Sequence, residues 1–116
     1  MTENKKTVAI YIDGFNRSDH AQILSCLSDN IVWEMPGAFH LTGKEAFSRE
    51  IENPAFVGSP EIIITRMVEE NEVVTAEGAV RCERKDGSFL NAVFCDVFAM
   101  EHAKITHLTS YFVELT

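Results

Sequence analysis

Beyond Glu61 the apolar residues of this chain recur at every second position, whereas before it they recur at helical spacing. Helices gathered in the first half and strands in the second build an α+β domain, with the helices packed on one face of a mainly antiparallel sheet. Val8, Tyr11, Ile12 and Phe15 share one stripe and predict a helix over Glu3–Arg17. Asp19 and Gln22 have the spacing of a capping box, opening a short second helix that buries Ile23, Leu24 and Leu27. Ile31–Met35 is rich in β-branched and aromatic residues and reads as a strand stopped by Pro36-Gly37. Thr42 and Glu45 form a second capping-box pattern, predicting a third helix that carries Phe47 and Ile51 and closes at Asn53-Pro54.

Four longer strands follow, over Ile62–Val68, Val73–Arg84, Ser88–Met100 and Lys104–Glu114, separated by turn-forming residues and so expected to form an antiparallel meander. On the third of these, alternation places Leu90, Ala92, Phe94, Asp96 and Phe98 on one face and Phe89, Asn91, Val93, Cys95 and Val97 on the other. Both rows are largely apolar. A sheet that packs helices on one side normally shows water a polar opposite face, so the second row needs its own cover. A symmetric homodimer through that face is the simplest cover; the alternative is the C-terminal segment or the Pro54–Pro60 loop folding across it.

At 116 residues the chain fits one domain, residues 1–116, with one core. Ten basic against eighteen acidic residues give a net charge of −8, which repels phosphate backbones and anionic lipid, and the Lys5-Lys6 and Arg84-Lys85 pairs lack interleaved aromatics. Neither a nucleic acid nor a membrane is expected as a partner. Met1–Lys6 is polar and unlike a secretory leader, and the three cysteines, Cys26, Cys82 and Cys95, cannot all pair, so a reducing cytoplasm is the expected location. His20, His102 and His107 lack metal-ligand spacing and there is no C-x-x-C pair, so neither metal nor cofactor is expected.

Asp96 is the anomaly of the third long strand. A carboxyl flanked by Phe94 and Phe98 loses solvation and requires a hydrogen-bond partner or a proton. Tyr11 on the first helix is either a core residue with its hydroxyl at water or a donor into a pocket. The two residues fall inside a wider pattern: Tyr11-Ile12-Asp13-Gly14-Phe15-Asn16-Arg17-Ser18-Asp19, then Leu27 to Gly37, Gly43-Lys44-Glu45-Ala46-Phe47, Lys85-Asp86-Gly87, Cys95-Asp96-Val97-Phe98 and Lys104-Ile105 through Ser110-Tyr111-Phe112. This pattern resembles the nuclear transport factor two-like superfamily, which includes ketosteroid isomerase and the SnoaL-like polyketide cyclases, along nearly the whole chain. The resemblance implies a cone-shaped α+β barrel, its curved sheet wrapped around the N-terminal helices, with an internal pocket and commonly a dimer. The fold hosts many activities, so it does not by itself imply one.

Carried over position by position, Tyr11 and Asp96 match the tyrosine and the protonated aspartic acid that form the isomerase oxyanion hole, two donors converging on an enolate oxygen. In SnoaL-like cyclases an acidic residue on the sheet acts as acid and base, a role that Asp96 could fill alone. The isomerase's general base, an aspartate just before the proline of the first strand, is replaced here by Met35, and a thioether accepts no proton at useful pH. Glu34 is adjacent but, by alternation, faces the other side. Phe15, Trp33, Met35, Phe56, Phe94, Phe98, Leu108, Ser110 and Phe112 are candidate pocket lining, and His40 a candidate for the pocket mouth. Arg81 is a further lining candidate: it and Glu83 share the pocket side with Ala79 unless a bulge at Gly78 turns both outward. These readings lead to a binder of a small apolar organic ligand, with isomerase- or cyclase-type acid/base chemistry on a carbonyl compound, or else a non-catalytic dimeric module for ligand binding or protein interaction.

Overall fold

A computed structural model describes residues 1–116. Helix α1 spans Glu3–Asn16 and α2 spans His20–Ser25. The Thr2 hydroxyl caps the first by accepting the Lys5 N–H at 3.1 Å, and the Asp19 carboxylate caps the second by accepting the Gln22 N–H at 3.0 Å. Strands β1 (Leu27–Met35) and β2 (Phe39–Thr42) form a hairpin, α3 spans Lys44–Glu50, and β3 (Phe56–Glu70), β4 (Val73–Arg84), β5 (Phe89–Glu101) and β6 (Lys104–Glu114) complete the chain.

The sheet order is β2-β1-β6-β5-β4-β3. Strands β3 to β6 form the expected antiparallel meander, and β1 joins β6 in parallel, which brings the first strand beside the last. The curved sheet stays open, with β2 and β3 as its edges. The helices fill its concave side, where Val8, Tyr11, Ile12, Ile23, Trp33, Phe47, Phe98, Ile105 and Leu108 form one contiguous core. No helix is long and apolar enough to cross a membrane.

Several local expectations are corrected. The Thr42 to Glu45 pattern does not cap α3: Thr42 ends β2, and Gly43, at φ +92°, is the cap residue without any side-chain bond. Strand β2, absent from the sequence reading, pairs Phe39 with Met35 and Leu41 with Trp33. Strand β3 begins at Phe56, taking up the segment expected as a loop, and carries irregularities between Val57 and Glu61 and between Ile64 and Arg66. Neither that segment nor the C-terminus crosses the outer sheet face, because both are strands within the sheet. Phe89, Val93, Tyr111 and Val113 are exposed there.

Candidate functional site

Strand β5 positions the site. Its even-numbered residues face the helices: Ala92, Phe98 and Met100 are buried, and Asp96 stands between Phe94 and Phe98 on that row. Cross-strand pairing places Ala76 of β4 on one side of Asp96 and Ser110 of β6 on the other. Helix α1 passes over this row and brings the Tyr11 ring edge-on to Phe98 at 5.5 Å and to Phe15 at 5.2 Å. Strand β1 contributes Trp33, whose indole stacks on Phe47 of α3 at 4.4 Å, and Met35 one pleat further along.

Together these elements enclose a cavity of about 140 Å³. Of the sequence candidates, Tyr11, Phe15, Trp33, Met35, Phe94, Asp96, Ser110 and Phe112 line it, together with Ile12, Ile62 and Val80, which the sequence does not single out. Ile12 lay on the helical stripe with Tyr11 and Phe15, so its signal was present; Ile62 and Val80 are ordinary strand residues with nothing in sequence to mark them. Phe15, Ile62 and Val80 also border a wider outer hollow of about 820 Å³, walled by Ile51 to Pro54, Phe56 and Cys82 with Glu52 and Lys85 among its polar members.

Five candidates lie elsewhere. Phe98 and Leu108 are fully buried and form the floor beneath the cavity without lining it. Phe56 borders the outer hollow instead of the inner cavity. Arg81 points to the outer sheet face, where its guanidinium sits 3.8 Å from the centroid of the Phe89 ring. Strand β4 carries no bulge against β5, yet Arg81 still faces out. Ala76 and Gly78 pair directly with Asp96 and Phe94, which makes Val74, Ala76, Gly78, Val80 and Cys82 the inward row and Ala79, Arg81 and Glu83 the outward one. His40 is likewise away from the mouth. It lies on β2 beside Glu34 at 3.5 Å, and Glu34 also meets His107 at 3.2 Å, all on the face away from the cavity. No three His, Cys, Asp or Glu side chains form a cluster suited to hold a metal ion.

The sequence model of the SnoaL-like domain matches residues 8–108. This chain belongs to the SnoaL-like domain family. No curated protein matches it. Among solved structures it is similar to TerC co-crystallised with polyporic acid, at 18% identity and a TM-score of 0.88 over 97% of this chain and 92% of that one. It is also similar to an LEH-like epoxide hydrolase from M. tuberculosis, at 19% identity and a TM-score of 0.84 over 96% of this chain and 83% of that one. An NTF2-like protein of unknown function from Burkholderia pseudomallei K96243 gives 20% identity and a TM-score of 0.86 over 97% and 92%. At these identities the likeness establishes the shared fold.

In this SnoaL-like domain the cavity is electrostatically one-sided. Asp96 is the one carboxyl among its lining residues, and Lys, Arg and His are absent from them. Burial pushes the Asp96 pKa up to about 7, with a hydrogen bond from Ser110 pulling the other way. Burial, then the nearby Asp96 and Cys26, raise the Tyr11 phenol well above its ordinary value, so Tyr11 remains a neutral O–H donor throughout the accessible pH range. The Trp33 indole N–H donates to the Ser110 hydroxyl at 3.0 Å, which keeps a buried donor satisfied inside an apolar wall. A neutral phenol beside a carboxyl balanced between its two protonation states can donate to a ligand oxygen and, after losing a proton, accept one back.

Proposed function

We propose that this SnoaL-like domain binds a small, largely apolar organic molecule bearing a carbonyl or hydroxyl group, and performs acid/base chemistry on it with Tyr11 and Asp96. The observation that carries this reading is the position of Asp96: one ionisable carboxyl on an otherwise apolar wall, raised to about 7, with Tyr11 on the same cavity. The inner cavity of about 140 Å³ suits the polar end of such a ligand, and its body extends past Phe15 and Val80 into the outer hollow. The absence of a cationic side chain from the inner wall disfavours carboxylates and phosphates. Co-crystallisation of the similar TerC with polyporic acid supports a small-molecule site in this fold.

The test is a thermal-shift and NMR screen of neutral ketones, phenols and enones, repeated on Tyr11→Phe and Asp96→Asn. Ligands that stabilise the native protein and lose affinity in both variants support the site. Binders unaffected by either change place the ligand elsewhere. A ligand bound through both residues but never turned over supports the non-catalytic binding module instead.

We further propose a homodimer through the outer sheet face. The exposed Phe89, Val93, Tyr111 and Val113 form an apolar surface that no segment of the same chain covers.

A further inference from the structure

The hydrogen bond that Trp33 makes beside Asp96 has a direction. Trp33 can only donate, so its indole N–H at 3.0 Å occupies a lone pair of Ser110 Oγ. Ser110 is buried on β6 directly across from Asp96, and both line the cavity. With Trp33 donating to its oxygen, the single hydroxyl proton of Ser110 is left for its cross-strand neighbour Asp96. A carboxyl that accepts this proton on one oxygen carries its own proton on the other, the oxygen left free for the cavity that Asp96 lines.

Resting on the pocket reading above, we infer that Trp33 and Ser110 are positioning residues: their one-way chain fixes the Asp96 carboxyl so that its acid proton is presented to the ligand, making the site select neutral oxygen acceptors over anions. Two neighbouring observations support the assignment. The indole cannot turn away, because it is held between Phe47 at 4.4 Å and Phe39 at 5.0 Å. Around Asp96, β4 presents Ala76, β1 presents Trp33 and Met35, and α1 presents Tyr11, whose phenol is the other titratable group of the cavity wall. Apart from the Tyr11 phenol, Ser110 is therefore the hydroxyl of the cavity wall that can order the carboxyl. A Trp N–H also polarises the Ser110 hydroxyl and strengthens its donation.

The experiment is a carboxyl ¹³C NMR titration of Asp96 in the full chain for the native protein, Ser110→Ala, Ser110→Thr and Trp33→Phe. It is paired with binding of 2-acetylnaphthalene, a neutral ketone, and of 2-naphthoate, an anion with the same ring system. Loss of the Ser110 donor should raise the Asp96 midpoint by about one pH unit. Trp33→Phe should raise it by about half as much, and Ser110→Thr should return it near the native value. Ketone affinity should fall about three- to tenfold in Ser110→Ala, recover in Ser110→Thr, and exceed naphthoate affinity in the native protein. An Asp96 midpoint unchanged in both Trp33→Phe and Ser110→Ala, with the ketone still bound normally, overturns the positioning chain. Midpoints that shift as expected while neither naphthalene compound binds uphold the chain and count against the pocket reading instead.

Discussion

The backbone of β3 lies so close to Gly78 that a methyl group at that position would collide with the carbonyl oxygen of Ile63, and would also come within 2.9 Å of the Phe94 ring. The approach arises where β3 inserts an extra residue, Thr65, between its pairings of Ile64 with Gly78 and Arg66 with Glu77. Gly78→Ala should therefore destabilise the fold by about 1–3 kcal/mol, because the obstacle is backbone and cannot swing aside. Urea denaturation of the variant measures it, and an unchanged midpoint would show that β3 can move away from β4 at no cost.

That glycine also shows where the sequence was legible and where it was not. The residue marked a bulge, but the bulge is in the partner strand, which a pattern confined to β4 cannot reveal. Arg81 was misplaced by setting it beside Ala79 on the pocket side. Along Val73–Arg84 the row of Val74, Ala76, Gly78, Val80 and Cys82 is uncharged whereas the other carries Thr75, Glu77, Arg81 and Glu83, so alternation itself turns Arg81 outward, and pairing of Ala76 with Asp96 fixes the same phase. The four-stranded meander, the rows of β5 and the first two helix starts were readable because each rests on a long period or a local cap. Strand β2 was lost because four residues are too few to show alternation, and its last residue, Thr42, imitates a helix cap in sequence while the cap itself is Gly43. Tyr11 and Asp96, 85 positions apart, meet only through the packing of α1 on the sheet; nothing local to either residue encodes the cavity between them.

Asp96 should make stability depend on pH in a direction opposite to that of most carboxylates. Its folded pKa of about 7 lies above the ordinary 3.8, so between those values the native state holds a proton that the unfolded chain releases. Its neutral form is compatible with burial at low pH, and the folded state loses stability as pH rises from about 4 to about 7. The ceiling is about 4 kcal/mol, reduced by whatever water enters the cavity to solvate the carboxylate. Asp96→Asn should be more stable than the native protein above pH 7, and the difference should shrink toward zero near pH 4. Denaturation of both proteins across that range checks this. A constant difference between them would mean that Asp96 ionises like an exposed aspartate.

Val93, 40% exposed in the outer row of β5, lies between the outward-facing Asn91 and Cys95 and directly opposite Val113. In a dimer built on this face, Val93→Lys buries an unpaired ammonium and should weaken association by at least tenfold without altering the monomer's unfolding. Sedimentation velocity at micromolar concentration should give a dimer for the native chain and a shift toward monomer for the variant. A native protein already monomeric at those concentrations would leave the outer apolar row without this explanation.

Met35 and Asp96 line the same cavity from β1 and β5, strands separated by β6, so a side chain at position 35 shares the ligand with the acid. Proton abstraction from carbon needs a base there, and the thioether supplies none, whereas Glu34 is engaged on the opposite face with His40 and His107. The native protein should not isomerise a β,γ-unsaturated ketosteroid at an enzyme-like rate, even with Tyr11 and Asp96 as oxyanion donors. A positioned general base contributes about 10²- to 10⁴-fold, and Met35→Asp should recover part of that factor while losing some stability to desolvation of the new carboxylate. The measurement is ultraviolet detection of the conjugated enone with the native protein, Met35→Asp and Met35→Asp/Asp96→Ala. Conversion should rise above background in the single variant and fall again when the Asp96 donor is removed. Substantial native turnover would reveal a base other than residue 35. A folded Met35→Asp protein that binds the steroid but gains no activity would mean that the carbon acid lies outside the reach of residue 35, and that the cavity orients its ligand differently from an isomerase.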